Sequence, residues 1–288
     1  MEDATGWVYL PLGNHPTTTH DLGNELPARG PGATITIMPS HSPKLILLPG
    51  MDGTGELFES FVGALPEGFK TQIVRYPTNR PLPSSELAKL LRSAVECSDA
   101  FVLIAESFSS PLAIELAATN PPSLRGLVIC AGFASSPIPK YLQSICSFFA
   151  PVCFLVSPPS VAIKLFLVGF NCPIGMVAAV KSAISSVNPW VLSARLRSVL
   201  ACDVRSALSR VTVPMLIIRP SHDRLVGVVK LEEMRRIKPS AAVETVSGPH
   251  LLFQREPHRS AEIVARFASQ WVEEQPRSSC VQFSPAYR

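Results

Sequence analysis

Short apolar runs alternate with amphipathic segments along most of the chain from Lys44 onward. The segments between the runs, such as "SSELAKLLRSAVEC" with its capping serine, carry apolar residues at helical spacing. Buried strands that alternate with helices predict right-handed crossovers and a parallel sheet. The predicted fold class is therefore α/β, with a doubly wound and mostly parallel sheet. The runs that predict strands are "KLILLPG", "TQIVRY", "AFVLIAE", "LRGLVICAGF", "VPMLIIRP" and "AAVETVSG".

The alternation pauses in residues 134–200, which are apolar and interrupted by prolines. Residues 145–163 carry no charge and are about long enough to span a bilayer. Pro151, Pro158 and Pro159 would break such a helix in its middle, so we expect no stable membrane span. We predict instead a cap of short helices over a pocket. Transient contact of this cap with a lipid surface stays open as an alternative.

This pattern divides the chain into four parts. Residues 1–43 are rich in Pro, Gly, Thr and His and are expected to form an N-terminal extension or an edge hairpin. Residues 44–133 and 201–275 are predicted to form the α/β core, and residues 134–200 the apolar helical cap inserted into it. Residues 276–288 are expected to be a flexible tail.

Composition narrows the classes of function. Hydrophobic residues make up 47% and charged residues 17% of the 288, which argues against disorder over most of the length. The 26 basic and 22 acidic residues give a net charge of +4 without a long basic block, so no nucleic-acid partner is expected. Seven cysteines without a CxxC pair or metal-ligand spacing predict free thiols and no metal. The start "MEDATGWVYL" lacks the features of a secretory signal, and we expect a cytoplasmic protein without a cofactor.

The stretch "VLIAESFSSPLAIELAA", residues 102–118, joins a strand pattern to a helix pattern through a polar turn. Ser107 lies at this turn, where the nucleophile of a serine hydrolase would be exposed on a sharp elbow. The crowded positions two before and two after it, commonly glycine, are Ala105 and Ser109, which are small enough to fit. Taken alone, the stretch is equally consistent with an ordinary capped turn.

Two further residues favour the elbow over the ordinary turn. Asp223 follows the run "VPMLIIRP", and His250 follows the last predicted strand. Both positions fall after strand ends, where the loops of a doubly wound sheet converge on one edge. The chain order Ser, Asp, His is that of α/β-hydrolases. Glu106 is interpreted as a turn residue with a solvated or paired carboxylate, and His222 as a surface histidine.

Several stretches resemble the α/β-hydrolase superfamily, in particular serine esterases and lipases and the esterase-like domains related to plant acyltransferases. They are "LILLPGMDGTGELF", "AESFSSPLAIELA", and "IIRPSHDRLV" with "GPHLLFQREP". The resemblance implies Ser107 as nucleophile, His250 as base and Asp223 as the acid that orients the base. It also implies an oxyanion hole formed by the backbone N–H groups of Met51 and Phe108. The predicted position of Phe108 at a helix N-terminus agrees with that role, because such amides stabilise negative charge.

The resulting hypothesis is a metal-independent serine hydrolase that cleaves carboxylic esters with an apolar moiety through an acyl-enzyme. A small-molecule ester is the expected partner. Thioesterase, lactonase, C–C hydrolase or acyltransferase chemistry with the same triad is one alternative. A catalytically silent relative whose pocket binds a small hydrophobic ligand is another. The residues expected to line an apolar substrate pocket are Phe148, Phe149, Phe154, Phe166 and Phe170.

Overall fold

A computed structural model of the protein describes residues 43–96 and 98–270. Within them, six strands form one sheet in which every neighbouring pair is parallel. The strands are, in chain order, β1 (Lys44–Leu48), β2 (Thr71–Ile73), β3 (Phe101–Glu106), β4 (Leu124–Cys130), β5 (Met215–Pro220) and β6 (Ala242–Val246). Their order across the sheet is β2-β1-β3-β4-β5-β6, so β3 lies in its interior.

Helices connect the strands. Before β5, the α-helices are α1 (Glu59–Gly63), α2 (Ser84–Glu96), α3 (Ser110–Ala117), α4 (Lys140–Cys153), α5 (Ser160–Ile163), α6 (Met176–Ser185), α7 (Pro189–Leu200) and α8 (Arg205–Arg210). After β5, they are α9 (Val228–Ile237), α10 (Leu252–Arg255) and α11 (Pro257–Gln270). Short 3₁₀ turns at Glu56–Phe58 and Ser107–Ser109 precede α1 and α3, and a π-helical turn at Lys164–Val168 follows α5.

The sheet is covered on both faces, and alternate residues of its central strands enter different cores. In β3, Leu103 and Ala105 join a core with α2, α3 and α9. Val102 and Ile104 join a second core with α1, α10 and α11 on the opposite face. Burial on both faces explains why the sequence shows continuous apolar runs instead of alternation with polar residues. The parallel sheet with helices on both faces confirms the predicted fold class.

Helices α4 to α7 lie between β4 and β5, within the residues predicted to form the cap. Pro151 was expected to break a helix, but it lies inside α4, which ends at Cys153. Proline lacks the N–H that would bond the Ser147 carbonyl, and Arg197 Nε donates to that carbonyl instead at 3.3 Å. Among the described residues, no helix is both long and apolar enough to cross a membrane.

Some predictions from sequence concern residues that the structure does not describe. The N-terminal extension lies outside the described residues except for its last position, residue 43. The same holds for residues 271–275 of the predicted core and for the predicted tail, residues 276–288.

Candidate active site

The candidate chemical residues lie at one edge of the sheet. β1 leads into the loop that contains Met51, and β3 ends immediately before Ser107. β5 precedes Asp223, and β6 precedes His250. Because these strands are parallel, their carboxyl ends meet at the same edge. Residues as far apart in sequence as Ser107 and His250 therefore come into contact.

Ser107 occupies a sharp turn between β3 and α3. Its φ of 47° lies in the left-handed region that non-glycine residues rarely adopt, so its backbone is held there by the surrounding structure. Part of the support comes from Ser110, whose Oγ donates to the Ser107 carbonyl at 2.7 Å. Gly132 leaves room for this contact, because a Cβ at that position would lie 2.1 Å from Ser110 Oγ. The turn has the backbone conformation that a nucleophile elbow requires.

A continuous chain of hydrogen bonds joins Ser107, His250 and Asp223. His250 Nε2 lies 2.9 Å from Ser107 Oγ, and His250 Nδ1 lies 2.8 Å from Asp223 Oδ2. A carboxylate only accepts, so Nδ1–H donates to Asp223 and Nε2 is left to accept from the Ser107 hydroxyl. The backbone N–H groups of Leu225 and Val226 donate to Asp223 Oδ1 and fix the carboxylate. The predicted nucleophile, base and acid are thus brought together in the order that proton transfer requires.

Two backbone amides near Ser107 are available to a ligand. Met51 donates its N–H to no other of the described residues, and Phe108 lies in the first turn of a helix, where N–H groups have no intrahelical partner. Met51 lies in the loop after β1, which turns through Gly53 and Gly55 at φ values of 70° and 75°. The Asp52 carboxylate braces this loop by accepting from the Thr54 N–H at 2.9 Å. The amides predicted to form an oxyanion hole are therefore free to donate.

Ser109 ties the elbow to the Met51 loop. Its Oγ is fully buried and donates to the carbonyl of Pro49, at the start of that loop. The Tyr76 hydroxyl donates to the same Oγ at 2.7 Å. Burial raises the pKa of Tyr76 above its usual value, so this phenol stays a donor. The residue that stands where glycine is common thus bridges the two segments that carry the candidate oxyanion amides.

A cavity of about 280 Å³ lies against Ser107 and His250. Most of the residues that line it lie in the segment 134–200, which was predicted to form the cap. These side chains include Phe154, Ile163, Phe166, Val180, Ile184 and Leu192. The volume is near the lower end of the range for small-molecule pockets, which is roughly 300–1,000 Å³.

The expected pocket residues divide into two groups. Phe154 and Phe166 line the cavity. Phe148, Phe149 and Phe170 are not among its lining residues and are 76%, 51% and 61% exposed. The pocket expectation therefore needs correction at these three positions. Which apolar side chains of a helix face the cavity depends on how the helix is rotated about its axis. The sequence pattern does not specify that rotation.

Comparison with known proteins gives a consistent fold. No protein-family model and no curated protein matches the sequence. Among solved structures, a carboxylesterase from the thaumarchaeon Nitrososphaera gargenis superposes with a TM-score of 0.69 at 13% identity, covering 82% of this chain and 93% of that chain. MenH from S. aureus gives 0.67 at 12% identity, covering 80% and 95%. The enol-lactonase from Burkholderia xenovorans gives 0.62 at 13% identity, covering 81% and 92%.

The chain has the α/β-hydrolase fold. In this fold, the loops that contain Met51, Ser107, Asp223 and His250 follow the carboxyl ends of β1, β3, β5 and β6. Sequence identities of 12% and 13% with these solved structures show the fold alone. The assignment of chemistry therefore depends on the site's own geometry.

Arg195 of helix α7 contacts the loop after β1, which contains Met51. This guanidinium is buried and donates to the carbonyls of Met51 at 2.8 Å and Asp52 at 2.6 Å, and to that of Pro77 at 2.9 Å. A Cβ at Gly53 would lie 2.5 Å from Arg195 Nη1, so glycine is required for this approach. Burial lowers the pKa of Arg195 from its usual value, although guanidinium remains protonated. Sequence reasoning missed this residue.

Glu106, the residue before Ser107, is buried, and its carboxyl has few hydrogen-bond partners. Its Oε2 accepts from Gln254 Nε2 at 3.3 Å, and its Oε1 has no hydrogen-bond partner among the described residues. Burial, with a smaller contribution from the charge of Asp52, raises its pKa to about 8. The carboxyl is therefore mainly protonated at neutral pH. The expectation of a turn residue with a solvated or paired carboxylate is wrong, because Glu106 is the last residue of the interior strand β3 and its side chain is buried beside Gln254 of α10.

The remaining candidates have no place in this site. His222 is exposed, and its Nδ1 lies 3.1 Å from Ser221 Oγ. Within residues 43–96 and 98–270, no group of three or more His, Cys, Asp or Glu side chains is arranged to hold a metal ion. The cysteines for which the structure describes free thiols are Cys130, Cys146, Cys153, Cys172 and Cys202.

Proposed function

We propose that the protein is a serine hydrolase that cleaves carboxylic esters with an apolar moiety through an acyl-enzyme. The observation that carries the proposal is the unbroken chain from Ser107 Oγ through His250 to Asp223, placed at the floor of an apolar cavity. The names of two similar structures, a carboxylesterase and an enol-lactonase, support the same bond type.

In the acylation step, Ser107 Oγ attacks the ester carbonyl carbon as its proton moves to His250 Nε2. Asp223 holds the ring in the required tautomer and stabilises the imidazolium that forms. The carbonyl oxygen becomes an oxyanion and accepts from the N–H groups of Met51 and Phe108. The ester C–O bond then breaks, and His250 returns the proton to the departing alkoxide. The products of this step are the free alcohol and the acyl group on Ser107.

In the deacylation step, water takes the place of the alcohol. His250 Nε2 accepts a proton as the water oxygen attacks the acyl carbon, and the same amides stabilise the second oxyanion. The bond to Ser107 Oγ breaks, the proton returns to that oxygen, and the carboxylic acid leaves. The apolar wall of the cavity holds the hydrocarbon part of the substrate.

Covalent labelling and turnover test this proposal directly. We expect a fluorophosphonate probe to label the folded protein at Ser107, and a series of p-nitrophenyl esters to be hydrolysed with a preference for short acyl chains. The variant Ser107→Ala should lose labelling and should lower kcat by a factor of about 10³ or more. The variant Ser144→Ala, at an exposed serine of the cap, is the matched control and should behave like the wild type.

The outcome separates the alternatives. Turnover that persists in Ser107→Ala contradicts the assignment of the nucleophile. A folded protein that neither reacts with the probe nor hydrolyses esters favours the ligand-binding relative. Labelling with turnover of thioesters or lactones but not of simple esters keeps the triad and changes the substrate class, because the shared machinery leaves that choice to the pocket.

A further inference from the structure

Helix α4 turns its apolar face away from the protein. Its large apolar side chains recur at helical spacing and form one stripe along the helix. In this stripe Tyr141 and Phe148 are 77% and 76% exposed, and Ile145 and Val152 are 56% and 61% exposed. The positions of the helix that are less exposed are Gln143, Cys146, Ser147, Ala150 and Pro151. The residues of the stripe, called the α4 stripe below, are Tyr141, Leu142, Ile145, Phe148, Phe149 and Val152.

This orientation is the reverse of a helix that packs its own core. A surface helix of a globular protein normally buries its apolar side and exposes its polar side. A contiguous exposed apolar patch on a soluble protein marks an interaction site. Leu155 and Val156, which follow α4, are also 61% and 74% exposed and continue the apolar surface along the chain.

The charge of the cap indicates what would cover the α4 stripe. The chain contains no Asp or Glu between Glu115 and Asp203. Lys140 and Arg197 are exposed, and Lys164 is partly exposed. Asp203, at the edge of this region, is already paired with Arg205 at 2.6 Å. A partner with negative charge is therefore favoured.

A bilayer with anionic headgroups matches both the exposed apolar stripe and the positive charge around it. An amphipathic helix in the interface buries its apolar face among the acyl chains while nearby lysine and arginine side chains meet the headgroups. A second copy of the chain fits less well, because pairing of two α4 stripes would bring two positively charged caps together.

The α4 stripe also lies next to the candidate active site. Cys153, the last residue of α4, lines the cavity beside Ser107. Phe166 lines the same cavity and is 41% exposed. A surface that covers the stripe would therefore lie close to the side of the cavity that Cys153 and Phe166 line.

We propose that the α4 stripe docks the protein on the surface of membranes that contain anionic lipids, with α4 lying in the interface. Docking through the α4 stripe is independent of the proposed hydrolase activity. Membrane binding is therefore expected even if Ser107 is not a nucleophile.

Vesicle co-sedimentation of the full chain tests the proposal. Wild-type protein should bind vesicles of phosphatidylcholine with phosphatidylglycerol more strongly than vesicles of phosphatidylcholine alone, and added salt should weaken the binding. The triple variant Ile145→Ser, Phe148→Ser and Val152→Ser should bind the mixed vesicles about tenfold or more weakly, because it loses the apolar contacts with the acyl chains. Since these side chains are exposed, circular dichroism should show an unchanged fold.

A matched control lies on α9, outside the α4 stripe. The double variant Val228→Ser and Val229→Ser changes side chains of α9 that are 48% and 70% exposed, and it should bind vesicles like the wild type. An equal loss in this control would overturn the proposal, as would absence of binding to either vesicle. A wild-type dimer that the triple variant converts to a monomer, without vesicle binding, would assign the stripe to a second copy and overturn it too. The Ser107→Ala variant should still bind.

Discussion

The hydroxyl of Ser109 explains why a position that is commonly glycine accepts a larger residue. Its bond to the Pro49 carbonyl and its contact with the Tyr76 hydroxyl use the added atom to join the elbow to the oxyanion loop. Glycine is common at this crowded position because it has no side chain. Here the small side chain of Ser109 fits, and its hydroxyl forms hydrogen bonds with the neighbouring groups. We therefore predict that Ser109 positions the loop that contains the Met51 amide.

Removal of this hydroxyl should reduce activity and stability together. Ser109→Ala leaves the buried Pro49 carbonyl without this donor and Tyr76 without this acceptor, and should lower the free energy of unfolding by about 1–3 kcal/mol. It should also lower kcat by roughly tenfold with little change in KM, since the oxyanion amide is displaced while the pocket is unchanged. Ester kinetics and urea titrations measure both quantities.

The variant Ser109→Gly tests the same hydroxyl in a second way. Ser109→Gly restores the common residue but removes the same bond, so it should also lower kcat. Ser193→Ala is the control, because Ser193 Oγ is buried and has no hydrogen-bond partner among the described residues. That variant should be neutral or stabilising. Higher activity in Ser109→Gly would show that the hydroxyl is a poor substitute for glycine and contradict the positioning role.

The sequence predicted individual residues where a chain-order rule applied. Ser107, Asp223 and His250 were identified because each follows a predicted strand and their order is specific. Glu106 was misjudged because its surroundings come from distant parts of the chain. Its carboxyl accepts from Gln254 of α10, and the charge of Asp52 adds to the effect of burial on its pKa; neither residue is adjacent to it in sequence.

Among the helices, α7 is tied through Arg195 to the loop after β1. An arginine in a helix pattern such as "SARLRSV" suggests an exposed position, and nothing in the periodicity distinguishes Arg195 from Arg197. The strands were predictable because burial on both faces gives them a distinct apolar pattern. The orientation of cap helices was not, since it depends on which face packs against the core. For the same reason, the sequence did not predict that Phe148 is exposed.

Replacing Arg195 should loosen the oxyanion loop. Arg195→Met removes the donors to the carbonyls of Met51, Asp52 and Pro77, so the loop loses its tie to α7. We expect kcat to fall roughly tenfold to a hundredfold and KM to change much less. Arg195→Lys should restore part of the loss, because an ammonium retains the charge but lacks the planar fork.

The matched control for this prediction is two residues further along the same helix. Arg197 is exposed and donates to a single carbonyl, that of Ser147. Arg197→Met should leave kcat near the wild-type value. If Arg195→Met lowered stability but left kcat unchanged in the folded protein, the residue would support the fold without positioning the loop.

For the molecule as a whole, the buried carboxyl of Glu106 links stability to pH. Its pKa in the folded state is about 8, above the ordinary value of 4.5. As pH rises through this window, the unfolded chain loses the proton while the folded protein keeps it. Ionisation then favours the unfolded state, so the contribution of Glu106 to stability falls from pH 4.5 to pH 8 and changes no further above that.

The variant Glu106→Gln should remove this pH dependence. The amide has nearly the same shape, keeps a hydrogen-bonding partner for Gln254, and does not ionise. We expect its free energy of unfolding to exceed that of the wild type by an amount that grows by about 1 kcal/mol per pH unit across the window. Urea titrations at about pH 5 and about pH 8 measure the difference. Glu67→Gln, at an exposed turn, is the control and should show no such growth. A constant difference for Glu106→Gln would mean that the carboxyl ionises normally in the folded protein.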